Sequence, residues 1–129
     1  MNTPLAVPSK LRSITLLTLA EVAGMSLWFA TAAALPDMVR EAGISAMRQA
    51  MLSSGVQAGF VIGALTVAAS GLADRFDPRR VFAICAVLAA LANLALLAAP
   101  IGGNLAIALR VATGALLAGV YPVGMKIAV

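Results

Sequence analysis

The chain contains no histidine and a single cysteine, Cys85, set in the middle of an apolar run. A disulfide needs two thiols, and a zinc site or a Cys/His catalytic pair needs side chains that are missing, so all three are excluded by count. Cys85 reads as a small buried apolar residue. Charge is scarce as well: Asp, Glu, Lys and Arg make up 11% of the 129 residues, against roughly 25% in a typical soluble domain. HExxH, GxSxG and P-loop patterns do not occur. The usual catalytic signatures are therefore gone, and no enzyme activity, metal or cofactor is expected. Aromatics are only 5%, and no basic stripe is interleaved with them. The net charge of +4 sits at the ends of apolar runs, so it is not a nucleic-acid footprint.

Apolar sequence is what remains. Hydrophobic residues are 62% and the mean hydropathy is +1.02. A soluble chain of this size cannot hide that much apolar surface. The expected class is an all-α membrane protein whose partner is the lipid bilayer. Crossing a bilayer takes about 20 apolar residues at 1.5 Å rise per residue. Four stretches qualify: Ile14–Leu35, Ala50–Leu72, Val81–Ala99 and Leu105–Met125. The second and third contain no charged residue at all. Pro36 is expected to close the first span, because proline cannot continue a helix comfortably. Pro100 and the turn Gly102-Gly103-Asn104 are expected to close the third.

Lys10 and Arg12 ahead of an apolar stretch, with Ala32-Ala33-Ala34 near its end, have the look of a secretory signal. At 22 residues, and carrying Glu21, Ile14–Leu35 exceeds an ordinary signal core of 7–15 residues, so it reads as an uncleaved first helix. Orientation follows from the basic residues. Lys10, Arg12, Arg75, Arg79, Arg80 and Lys126 fall on one side, and Arg40 and Arg48 on the other. Six against two places the N-terminus and the 73–80 loop in the cytoplasm. The segment Asp37–Gln49 is then external and is expected to cover the tops of spans one and two. Val129 follows Lys126 by three residues without a polar tail, which predicts a truncated chain.

Span two carries Gly55, Gly59 and Gly63 on one helix face, and span four repeats the idea with Ala115 and Gly119. Glycine lets another backbone approach closely, so these residues predict helix–helix packing, and a sliding surface for rocking bundles is compatible with it. Gly119, Pro122 and Gly124 predict a kink near the cytoplasmic end of span four.

Two ionisable residues lie inside the spans, Glu21 and Arg110. Each costs about 2.5–3.5 kcal/mol near a helix centre, so such residues face a cavity or a partner and are functional candidates by default. Glu21 shares a face with Thr18, Gly24, Met25 and Trp28, which suits a proton carrier or a cation site; a structural hydrogen bond is the plainer alternative. Arg110 shares a face with Thr113, Gly114, Leu117 and Tyr121, which suits an anion or a carboxylate; snorkelling to the external surface is its plainer alternative. By helix rise the two lie roughly 12 Å apart along the membrane normal, too far for direct pairing. Gln57 and Asn93 are weaker candidates, each able to hydrogen-bond across helices.

The segment Ser70-Gly71-Leu72-Ala73-Asp74-Arg75-Phe76-Asp77-Pro78-Arg79-Arg80 joins two neighbouring antiparallel spans. It resembles the signature loop of the major facilitator superfamily, Gly-x-Leu-Ala-Asp-Arg-x-Gly-Arg-Arg/Lys. Leu72, Ala73, Asp74 and Arg75 fall on the pattern, Arg79 takes the final basic position, and Arg80 adds another. Ser70, Asp77 and Pro78 depart from it. Arg110-Val111-Ala112-Thr113-Gly114 resembles the same family's fourth-helix motif, Arg-x-x-x-Gly.

The resemblance spans the chain but only the first four helices of a twelve-helix fold. It implies part of the N-terminal six-helix bundle of a secondary transporter in a bacterial cytoplasmic membrane. It also implies a small-molecule substrate, alternating access coupled to protons, and the remaining helices as partners. Asp74 and Arg75, with Arg79 and Arg80 beside them, take the role of a gating loop that locks the outward-facing state. Arg110 takes a role in proton coupling or substrate binding. A rival exists: Leu19-Ala20-Glu21-Val22-Ala23-Gly24 resembles the first helix of small multidrug resistance transporters, four-helix dimers that exchange drug for protons at a first-helix glutamate. A non-transporting four-helix scaffold subunit is the remaining alternative.

Overall fold

The computed structural model describes residues 7–128, all of whose regular elements are helical. α1 is Val7–Ala42, α2 is Ala46–Ser70, α3 is the single turn Leu72–Arg75, and α4 is Pro78–Ala95 with a 3-10 turn, Leu96–Ala98, appended. α5 is Asn104–Leu117 and α6 is Tyr121–Ala128. Four stretches are long and apolar enough to cross a membrane: Ser9–Ala42, Ala46–Ser70, Pro78–Ala98 and Asn104–Ala128. The chain is an integral, multi-pass membrane protein.

Pro36 does not end the first helix. α1 runs through it to Ala42, 36 residues in all. The Pro36 ring removes one backbone donor and leaves the Ala32 carbonyl without its helical partner, which a helix tolerates near its end where polar groups are at hand. Asp37 and Arg40 brace the extra turns as an i,i+3 ion pair at 2.6 Å, and Arg40 suits the negative end of the helix dipole. The segment 37–49 is therefore not a covering loop. It is the last turn of α1, a three-residue turn whose Gly43 takes φ 59, and the start of α2 capped by the Ser45 hydroxyl. Asn104 likewise opens α5 rather than closing a turn.

α2 packs most extensively on α5. The reason is the stripe of small residues. A Cβ at Gly59 would collide with the Val111 carbonyl, one at Gly63 with the Ala115 carbonyl, and one at Gly114 with the Val56 carbonyl. Gly55 sits over the Cβ of Arg110, 3.3 Å from where its own would stand. Without side chains at these points the two backbones touch, and dispersion contacts replace a hydrophobic drive that lipid cannot provide. Gly119 faces elsewhere, onto Cys85 of α4.

Span four is interrupted. Between α5 and α6, Ala118–Val120 form tight turns, with Gly119 N–H bonded to Leu116 and Val120 N–H to Leu117. Pro122 then falls in the first turn of α6, where a missing N–H costs nothing. The core lies around this break: Val56, Ala89, Leu117 and Val120, with Leu27, Trp28, Phe60, Phe82 and Cys85 packed against them. Trp28 and Phe60 meet edge to face at 5.3 Å. Large apolar side chains such as Leu65, Ile84, Leu91 and Leu97 point outward, as lipid-facing positions do.

Candidate functional site

Arg110 is the most buried charge in the described chain, with 1% of its surface exposed. α5 carries it into the bundle opposite Gly55, whose missing side chain leaves room for its stem. Its Nη1 donates to the Leu27 carbonyl at 2.9 Å and to Oδ1 of Asn93 at 3.4 Å; its Nη2 donates to the Trp28 carbonyl at 2.8 Å. Nε has no partner. The guanidinium thus ties α5 to α1 and α4, held by carbonyl dipoles and an amide rather than by an acid. It does not snorkel to the external surface. Nε is left as a buried, unsatisfied donor where α5 meets α1 and α4.

Glu21 lies lower on α1. Gly124 of α6 is the seat for its carboxylate: a Cβ there would overlap Oε1. Neither carboxylate oxygen has a hydrogen-bond partner. Beside it opens a cavity of about 180 Å³ bounded by Thr18, Val22, Tyr121 and Met125. The sequence face Thr18–Glu21–Gly24 therefore looks at α6, with Gly24 in contact with Val120. Among the described residues Glu21 and Arg110 form no ion pair. They sit on α1 about two turns apart, Glu21 by its own position and Arg110 through Leu27 and Trp28.

Asn93 joins Arg110, but Gln57 does not: its side chain is exposed on the outer side of α2. Gly55, Gly59, Gly63 and Gly114 stand at the α2–α5 contact.

The 70–80 loop has its own logic. Gly71 takes φ 61 and caps α2, its N–H reaching Val67 and Ala68. The left-handed residue the turn requires is Gly71, so Ser70 can stand in the last turn of α2 without strain. Asp77 caps α4 by accepting from the Arg79 N–H at 2.9 Å, and Pro78 takes the first helical position. The departures at 70, 77 and 78 thus build a regular helix end and a regular helix start. Asp74 pairs with Nζ of Lys126, which also donates to the Ala73 carbonyl at 3.0 Å. The ammonium holds the Asp74 carboxyl below the usual aspartate range, by hydrogen bonding first and charge second. Arg75, Arg79 and Arg80 are exposed.

Lys126 is the residue that sequence reasoning used only for orientation. A lone cation at the loop-side end of span four was the available signal. The Leu27 and Trp28 carbonyls had none, since a backbone acceptor leaves no mark on the sequence.

No curated protein and no solved structure matches the chain. The family model for the Major Facilitator Superfamily matches residues 17–129. That match takes in both the 70–80 loop and Arg110–Gly114, and it decides against the small multidrug resistance likeness, which rests on six residues of α1. The chain belongs to the major facilitator superfamily, a family of membrane transporters.

Proposed function

We propose that this protein moves a small solute across a bacterial cytoplasmic membrane by alternating access, with Glu21 as the proton carrier and Arg110 lining the solute path. The observation that carries this reading is the Glu21 carboxylate: both oxygens lack a partner, and the side chain borders a cavity between α1 and the broken end of span four. A carboxylate in such a place exchanges a proton at a modest change of surroundings, because neither form is held by a hydrogen bond. The break at Ala118–Val120 supports movement, since an interrupted span can pivot where a continuous helix cannot. Asp74 and Lys126 act as a latch between the loop and α6, and Arg75 gates beside them. The remaining helices of the transporter complete the path, which in this family runs between two six-helix halves. The six-to-two charge asymmetry supports a cytoplasmic N-terminus.

The test is proton movement in sealed proteoliposomes. A trapped pH dye reports a proton flux when a panel of sugars, amino acids, organic anions and organic cations is added outside. A solute that moves protons with the complete native transporter and not with its Glu21→Gln variant supports the reading. A Glu21→Gln variant that moves protons as fast as the native transporter sinks it.

A further inference from the structure

A second cavity lies at the loop-side end of the bundle, far from Arg110. It has a volume of about 610 Å³ and opens between the start of α1, the start of α4 and the end of α6. Its lining divides in two. Lys10, Ser13 and Arg79 supply polar and cationic groups; Ile14, Leu17 and Phe82 supply an apolar wall. No acidic residue is among the described residues that line it. Among the described residues neither cation forms an ion pair: the two pairs there are Asp37–Arg40 and Asp74–Lys126. Asp77, the nearest acid in sequence to Arg79, spends an oxygen on the Arg79 main-chain N–H.

We propose that this cavity holds one anionic phospholipid, drawn from the leaflet that faces the 73–80 loop, with its phosphate between Lys10 and Arg79 and its upper acyl chain along Ile14, Leu17 and Phe82. Charge complementarity argues for the phosphate. Lys10 is the second residue of the membrane-length helix Ser9–Ala42 and Arg79 the second of Pro78–Ala98, so both stand at a span end, at headgroup height. The apolar wall argues for a lipid rather than a free anion, since a soluble phosphate gains nothing from Phe82 or Leu17. A zwitterionic headgroup brings its own cation to two that are already present, and so fits less well. The site adjoins the smaller cavity beside Glu21, with which it shares Leu17 and Ala128; its occupancy does not depend on whether transport is coupled to protons.

The experiment offers the purified full chain equimolar phosphatidylglycerol and phosphatidylcholine and counts retained lipids by native mass spectrometry. Each cation near a membrane surface favours an anionic lipid by about fivefold, so two predict roughly a 30-fold preference for phosphatidylglycerol. The double variant Lys10→Gln/Arg79→Gln should lose it. The double variant Arg12→Gln/Arg80→Gln changes net charge equally but removes no lining residue, and should keep it. Lys10→Arg/Arg79→Lys should also keep it, which separates loss of charge from loss of fold. An equal fall in both Gln pairs overturns the proposal in favour of diffuse surface charge. Absence of any preference in the native chain overturns it in favour of protein covering the cavity. Release of the lipid by millimolar inorganic phosphate overturns it in favour of a soluble anion site.

Discussion

The guanidinium of Arg110 rests on the main chain of Trp28, with Nη2 and the carbonyl oxygen 2.8 Å apart, eighty-two residues away in sequence. A buried cation is held here by dipoles and not by an opposite charge. That arrangement is costly for stability, because a full charge has left water and only partial charges have replaced it.

Replacing Arg110 by an apolar side chain of similar length therefore separates stability from function. Arg110→Met should leave the thermal midpoint in detergent unchanged or raised by about 1 kcal/mol equivalent, while solute flux in proteoliposomes is abolished. A large fall in the midpoint, with flux retained in the surviving fraction, would assign Arg110 to packing alone.

Gly59 tests the α2–α5 contact. The Cβ of an alanine there runs into the Val111 carbonyl, which is backbone and cannot turn away. Gly59→Ala should cost about 1–3 kcal/mol by overpacking, read as a lowered unfolding midpoint. Gln57→Ala, two residues away on the exposed side, should leave the midpoint within about 0.5 kcal/mol.

Gly124 tests the seat of Glu21. Gly124→Ala places a methyl where Oε1 lies and should displace the carboxylate, slowing proton-coupled flux with little loss of expression. Adding Glu21→Asp withdraws the carboxylate by one methylene and should restore part of the rate. Equal rates in native and Gly124→Ala protein would mean that the seat plays no part in coupling.

The Asp74–Lys126 latch has a defined pH window. The Asp74 carboxyl is depressed by its partner, so the contact is present above the ordinary aspartate value, about 3.9, and is lost only as pH falls through the lower folded value. Transport that changes between pH 5 and pH 8 therefore does not report Asp74. Asp74→Asn should alter turnover more than solute affinity, and high salt should shift the native rate toward that of the variant, since the pair is exposed. Lys126→Ala should behave the same way, and the double variant should add nothing further.

Orientation is open to direct labelling. Lys10→Cys in a Cys85→Ser background should react with a membrane-impermeant thiol reagent only in inside-out vesicles. Reaction in right-side-out cells would invert the assigned topology.

Much of this protein was legible from its residues alone. Span count and class follow from composition, because a chain this apolar has nowhere to hide its surface but lipid, and lipid forces every backbone group into a helix. The 70–80 loop and Arg110–Gly114 are local patterns, readable without a neighbour. The α2 glycine stripe and the break near Gly119 are also local, since both depend on backbone freedom and helix periodicity. What needed the tertiary structure was every partner. Pro36 reads as a stop, yet α1 continues because the freed carbonyl lies near a helix end. Arg110 reads as a charge that faces a cavity or a partner, with snorkelling as the plainer alternative; the carbonyls of α1 that it turns to are advertised by no sequence position. Glu21 and Gly124, and Asp74 and Lys126, are joined only by the way α6 packs against α1 and ends beside the loop. Helix formation is decided within a few turns of chain; which side chain meets which carbonyl is decided by how close two backbones can come, and that distance exists only once the helices have packed.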